Sequence, residues 1–220
     1  ASLAYLKKKV LLIDTDPQAN ATSGVGIDKA AISQSIYNIL VDEVNINDVI
    51  IKTAYENLDI VPSSIALAGA EVELVSAISR EQRMKNAISE IKEKYDYVVI
   101  DCPPSLGLIT LNSLTAANGV IIPVQTEYYA LEGLSQLMNT FNIVRKHLNS
   151  KLDIFGVLLT MTDSRTNISN QVAEQVREHF KDKAFNTVIS RTVRLSEAPS
   201  FGEPIIEYAK NSNGAKQYLS

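Results

Sequence analysis

The feature of this 220-residue chain that most constrains its fold is a recurring set of short apolar runs, each of strand length. They are Val10-Leu11-Leu12-Ile13, Leu58-Asp59-Ile60-Val61, Tyr97-Val98-Val99-Ile100, Val120-Ile121-Ile122-Pro123-Val124, Phe155-Gly156-Val157-Leu158-Leu159 and Thr187-Val188-Ile189. Runs that do not alternate apolar with polar residues read as strands covered on both faces, the condition of parallel strands in α/β proteins. Residues 80–95, 131–148 and 169–180 instead carry apolar residues at three- and four-residue spacing; Met84, Ala87, Ile88 and Ile91 mark one such face. The predicted class is therefore α/β, a mostly parallel central sheet flanked by helices on both faces, with right-handed crossovers. At 45% hydrophobic residues the chain can build one substantial core, so a single domain over residues 1–220 is expected.

Charge and cysteine content narrow the function classes. The net charge of -4 and the 21% charged residues suit an ordinary globule rather than a wholly basic nucleic-acid binder, so any DNA contact must come from a local basic patch. Cys102 is the single cysteine, which excludes an internal disulfide and a cysteine cluster. With no signal-like opening, a reducing, cytoplasmic setting is expected. No apolar run approaches the roughly 20 residues that cross a bilayer, so no membrane span is expected. Residues 1–9 read as the last turns of a helix, with Leu3 and Leu6 on one face, and residues 214–220 open another helical pattern; both ends read as cut.

In parallel α/β sheets ligands bind beyond the carboxyl ends of the strands. The first apolar run leads into Asp14-Thr15-Asp16-Pro17-Gln18-Ala19-Asn20-Ala21-Thr22-Ser23-Gly24, and the third into Asp101-Cys102-Pro103-Pro104-Ser105-Leu106-Gly107. A carboxylate at such a position can hold Mg²⁺ directly or through its waters, and a second nearby carboxylate can orient a water for attack on phosphorus. The pair points to phosphoryl chemistry. The competing reading is that Asp14, Asp16 and Asp101 cap turns, as aspartate often does.

These two strings, with Val193-Arg194-Leu195-Ser196-Glu197-Ala198-Pro199-Ser200-Phe201-Gly202, resemble the ParA/Soj partition ATPases of the deviant-Walker P-loop superfamily, in that family's order over essentially the whole chain. The resemblance implies ATP and Mg²⁺ as cofactors. It makes Asp16 the catalytic residue that positions the attacking water and Asp101 a Mg²⁺-shell residue acting through water. It places Asp14 and Pro103 in the nucleotide-binding loops, lets Pro104 and Gly107 shape the second of them, and puts Thr160, Met161 and Pro199 near the nucleobase. Arg165 and Arg194 become DNA-binding residues, with Arg191 close by; phosphate contacts of this kind are sequence-independent and salt-sensitive. The family's cycle would supply an ATP-dependent homodimer, nonspecific DNA, a ParB/Spo0J-type centromere-binding protein that stimulates hydrolysis, and a nucleoid-associated location.

One departure stands out. The family carries a glycine-rich Lys-Gly-Gly-Val-Gly-Lys-Thr-Thr loop between a first strand and the helix whose tail opens this chain. No Gly-Lys followed by Ser or Thr occurs in the sequence; Gly24-Val25-Gly26-Ile27-Asp28-Lys29 lacks the lysine and hydroxyl in register. The chain by itself is thus expected to be inactive, with the first P-loop strand missing from the centre of the sheet and its neighbours left with unpaired edges. Two further functions compete: a non-catalytic scaffold that binds DNA or a partner, against which both acidic loops argue, and a MinD-like membrane-linked ATPase, against which the arginine-bearing late string argues. An iron-protein-like electron donor would need paired cysteines. Cys102 reads as a packed thiol, His147 and His179 as helix-end residues, and Tyr128 and Tyr129 as packed at a helix entrance.

Overall fold

A computed structural model describes residues 1–128 and 130–220; Tyr129 lies outside the described residues. In chain order the elements are α1 (Ser2–Tyr5), β1 (Val10–Asp14), α2 (Asn20–Gly24), α3 (Ile36–Leu40), α4 (Ile46–Val49), β2 (Ile51–Lys52), β3 (Leu58–Val61), α5 (Leu67–Glu73) and α6 (Arg83–Ser89). They continue as β4 (Tyr97–Asp101), α7 (Leu108–Ala116), β5 (Gly119–Gln125), α8 (Ala130–His147), β6 (Asp153–Thr162), α9 (Asn167–Phe180), β7 (Ala184–Ser190), α10 (Val193–Glu197), α11 (Ile205–Tyr208) and α12 (Asn213–Tyr218).

Every apolar run of the sequence is a strand, and the long strands are parallel. The strands form two sheets, in the orders β2-β3-β1-β4 and β5-β6-β7, with β4 and β5 as unpaired edges. β1 lies inside the first sheet, with Val10–Ile13 against Leu58–Val61 on one side and Val10–Asp14 against Tyr97–Asp101 on the other. Leu11 and Ile13 are consequently fully buried and sit in a core with Leu40, Leu67, Met84, Ile91 and Ile109. The second sheet has its own core, where Ile122, Val124, Val157 and Leu159 meet Val172 and Val176 of α9.

The expectation of burial on both faces holds for β1 and β3 and fails for β4 and β5. Each of these two strands is an edge, and one face of each lies open, so Val99 is 42% and Ile121 54% exposed. An edge strand presents unpaired backbone groups along its free side.

Two helical expectations changed. Residues 80–95 form α6 flanked by tight 3-10 turns at Arg80–Gln82 and Lys92–Lys94, because Glu90, Ile91 and Lys94 N–H groups bond carbonyls three residues back and turn the chain into β4. The apolar face survives: Met84 and Ile91 are buried. Residues 1–9 are helical only over α1, which ends before Lys7, whose φ is 65°. α7 was invisible to periodicity because it is buried nearly all round. Its polar residues find backbone partners instead of a wet face: Thr110 Oγ1 donates to Ser105 O, Ser113 Oγ to Ile109 O and Thr115 Oγ1 to Leu111 O. Tyr128, in the turn before α8, is 74% exposed. Among the described residues no helix is long and apolar enough to cross a membrane.

Candidate nucleotide site

Parallel pairing of β1 with β4 sets Asp14 opposite Asp101 at the carboxyl ends of both strands. The two loops that follow are stapled together: Thr15 donates to the Asp101 carbonyl from its N–H at 2.9 Å and from Oγ1 at 2.6 Å.

Asp14 is fully buried, and its oxygens are engaged by its own loop. Oδ1 accepts from Asp16 N–H at 3.1 Å; Oδ2 accepts from Thr22 N–H at 2.8 Å and from Thr22 Oγ1 at 2.7 Å. The residue expected among the nucleotide contacts therefore organises the loop, acting from a distance as the cap of α2. Thr22 Oγ1 in turn accepts from Ser63 N–H at 3.0 Å, which binds the end of β3 to the same network. Ser63 Oγ is buried with no partner among the described residues.

Asp16 differs from Asp14 in its freedom. The Asp16-Pro17-Gln18-Ala19 turn closes through Ala19 N–H on Asp16 O at 2.8 Å, and Asp16 Oδ1 accepts from Gln18 N–H at 2.9 Å. Lys29 Nζ grips the Gln18 carbonyl at 2.6 Å. The half-buried carboxylate is thus aimed by an Asx turn, while Oδ2 carries no hydrogen bond among the described residues. Ala19 is held in the left-handed region, at φ 53°, an arrangement that costs a non-glycine residue about 1 kcal/mol and persists here because Asp14 and Lys29 fix both sides of the turn.

Asp101 opens to solvent on one side. Desolvation by the surrounding walls, then the charges of Asp14 and Asp16, nevertheless push its carboxyl up to about 6. The folded form thus holds an extra proton between 3.8 and about 6, and Asp101's contribution to stability falls as pH rises through that window. A carboxyl-carbon NMR titration should find the Asp101 midpoint near 6, and Asp16→Asn should lower it. A midpoint at the ordinary aspartate value, insensitive to that substitution, would refute the like-charge account.

The loop after Asp101 is shaped from below. Pro103 is buried, and Glu71 of α5 accepts from Leu108 N–H at 2.8 Å and Ile109 N–H at 3.3 Å, capping α7. A Cβ on Gly107 would overlap that carboxylate, which gives Gly107 its packing reason. Cys102 is exposed rather than packed, and desolvation by the groups around it still pushes its thiol up, opposite to what a reactive thiolate needs.

The remaining expected residues lie elsewhere. Thr160 and Met161 end β6 in the second sheet, where Thr160 O accepts from Thr126 N–H at 3.3 Å and Met161 takes a φ of 51°. Pro199 sits on an exposed 3-10 turn, Ala198–Phe201. Among the described residues no hydrogen bond ties these three to Asp16 or Asp101. Arg165 makes a two-point pair with Asp163, at 2.8 and 2.7 Å, and holds that carboxyl down to about 2. Arg191 pairs with Glu127 at 2.7 Å and Arg194 with Glu197 at 3.1 Å. Such exposed pairs contribute little to stability and can exchange partners.

Sequence reading missed Thr15, Thr22, Ser63 and Glu71. Only Thr22 left a signal, a hydroxyl residue in the first turn of the helix that follows the acidic loop. Among the described residues no three His, Cys, Asp or Glu side chains gather into a metal cage. Mg²⁺ commonly takes one or two carboxylates and completes its shell with water and phosphate. The exposed Asp101 carboxylate and the Asp16 oxygen left unbonded fit such an ion and its waters.

Carboxylates gathered at the carboxyl ends of parallel strands stand where an α/β fold binds its ligands, and solved neighbours place this architecture in the P-loop nucleotide-binding class. A family model described as an AAA domain matches residues 1–154. The sporulation initiation inhibitor protein Soj of Bacillus subtilis (strain 168) is 61% identical over 219 residues, covering 100% of this chain and 87% of that protein. The chromosome partitioning protein ParA of Myxococcus xanthus (strain DK1622) is 50% identical over 220 residues, covering 100% and 78%. Among solved structures, a cobyrinic acid a,c-diamide synthase from Mycobacterium smegmatis with bound ATP analog and magnesium superposes with a TM-score of 0.85 at 34% identity, over 99% of this chain and 82% of that one. A putative plasmid partition protein from Borrelia burgdorferi B31 bound to AMPPNP gives 0.81 at 31% identity, over 99% and 86%. The chain belongs to the Soj/ParA family of chromosome-partitioning ATPases.

Proposed function

We propose that this chain forms the body of an ATP-driven partitioning switch in which Asp16 positions the water that attacks the terminal phosphate. The observation that carries this is the pairing of a free, turn-aimed Asp16 carboxylate with Asp101 across two stapled loops. Asp101, once deprotonated, holds a Mg²⁺ water shell. The ion supplies charge neutralisation on the phosphates when bound. Asp16 Oδ2 accepts a hydrogen bond from the attacking water and orients its lone pair, while Asp14 and Thr22 keep the loop from moving as charge develops.

The family's cycle extends this reading to an ATP-dependent homodimer that binds DNA nonspecifically on the nucleoid, in the cytoplasm, and is stimulated by a ParB-type partner. Arg165 and Arg194 serve the DNA step by exchanging Asp163 and Glu197 for backbone phosphates. The reading is tested on the protein from its native source. It should bind and hydrolyse ATP, and charge reversal of Arg165 and Arg194 together should weaken nonspecific DNA binding by about tenfold or more at low salt. Absence of ATP binding would replace this reading with the non-catalytic scaffold. Unchanged DNA affinity in an active double variant would remove the two arginines from the DNA step.

A further inference from the structure

We propose that the turn Ala198–Phe201, closed by Gly202, is a positioning element for the Asp16 loop, and that Gly202 is glycine because it packs backbone to backbone against the far end of α2. Two glycines distant in sequence meet here, both with positive φ: Gly26 at 82° and Gly202 at 67°. A Cβ on Gly202 would lie 3.1 Å from Gly26 Cα, 3.2 Å from Ser23 O and 3.4 Å from Gly26 N. All three are backbone atoms, so no rotamer change relieves the crowding and the two segments must part. The reverse holds as well, a Cβ on Gly26 meeting Gly202 O at 3.3 Å.

Both sides of this contact are anchored. Gly202 N–H bonds Pro199 O at 3.1 Å, Glu203 N–H bonds Ala198 O at 3.2 Å, and Ala198 is buried. Tyr55 OH, from the loop between β2 and β3, donates to Gly202 O at 3.2 Å. Upstream, Glu197 accepts from Arg194 and from Tyr208 OH, each at 3.1 Å, and Phe201 stacks on Tyr208 with ring centroids 5.1 Å apart. On the other side, Ser23 lies in the last turn of the short helix whose Thr22 is bonded to Asp14, and Gly26, just past its C-cap, donates to Ser23 O at 3.0 Å. α2 is therefore held at its start by Asp14 and at its end by the turn that follows the Arg194 helix. Displacing that turn releases the end of α2 and loosens the aim of Asp16. In the opposite direction, a shift of the Asp16 loop reaches the Arg194 segment through the same backbone contact.

Hydrogen exchange on the chain tests the contact without any ligand. Gly202→Ala should raise exchange at the amides of residues 22–26 by about tenfold while the β1 amides keep their protection. Gly202→Asn tolerates positive φ but carries the same Cβ, and should act as Gly202→Ala does. Ser200→Ala, in the same turn, should change nothing at residues 22–26. Wild-type exchange at these amides in both Gly202 variants would overturn the proposal, and so would restoration by Asn, which would assign the effect to strain within the turn. If Gly202→Ala does not fold, Tyr55→Phe loosens the turn without adding an atom, and absence of a rise at residues 22–26 then overturns it. The kinetic consequence rests on Asp16 acting in hydrolysis: in the ATP-hydrolysing native protein Gly202→Ala should lower kcat by about tenfold with KM for ATP unchanged. A raised KM alone contradicts the positioning role. Absence of hydrolysis in the unsubstituted protein strikes at the ATPase reading and leaves the exchange result to decide this one.

Discussion

Replacing Asp16 by alanine is expected to lower ATP turnover by about a hundredfold or more in the native protein while leaving its fold intact. The separation of the two effects comes from the geometry. One oxygen of Asp16 closes the Asx turn on Gln18 N–H, a contact whose loss costs about 1 kcal/mol, comparable to removing a helix cap. The other oxygen has no hydrogen-bond partner among the described residues, so its removal disturbs nothing there that holds the loop. Asp16→Asn keeps the turn and loses the charge, and should fall between alanine and wild type in turnover. Single-turnover hydrolysis with a melting curve on each variant checks both halves. Full turnover in Asp16→Ala would transfer the water-positioning role elsewhere, and a collapse in melting temperature would make Asp16 a structural residue.

Asp14 should behave in the opposite way. Its substitution by alanine strands two backbone N–H groups and the Thr22 hydroxyl in a buried site, where each unsatisfied donor costs about 1–3 kcal/mol. A total destabilisation of about 3–5 kcal/mol follows, lowering the melting temperature by about 10 °C for a chain of this size. Asn at this position keeps one acceptor and turns an amide NH₂ toward a donor pair, so it should recover only part of the loss. Hydrolysis falls with stability in both, since the Asp16 turn and the left-handed Ala19 depend on the same network. A melting temperature within a degree or two of wild type for Asp14→Ala would mean that water or a rearranged loop satisfies those donors.

The two aspartates lie in one short string and were given neighbouring roles by resemblance, yet their surroundings divide the work. Asp14 is the last residue of a strand enclosed between β3 and β4 and is turned inward; Asp16 follows one residue after the staple to Asp101 and lies at the surface of the crevice. The raised Asp101 carboxyl is a product of this crowding, because three carboxyls share the ends of two adjacent strands. Release of its proton on Mg²⁺ binding would couple ion uptake to pH near 6.

Arg165, Arg191 and Arg194 each face a carboxylate. In the proposed DNA step a phosphate would have to displace that internal partner rather than meet a bare cation, which would moderate the affinity per arginine.

The sequence by itself determined the strands, their parallel α/β class, the long helices α8 and α9, and the two acidic loops. These features are written locally: a buried parallel strand needs an unbroken apolar run, an amphipathic helix needs its period, and a carboxylate after a strand sits where such sheets bind ligands. The family strings were legible for the same reason, being contiguous. Only the tertiary structure decided the rest. Which carboxylate faces inward depended on which strands pair beside it. α7 was hidden because its polar side chains bond their own helix and its surroundings, leaving no wet face to set a period. The Gly26–Gly202 contact and the arginine–carboxylate pairs join residues that no local pattern links, and such contacts exist only once the chain has folded.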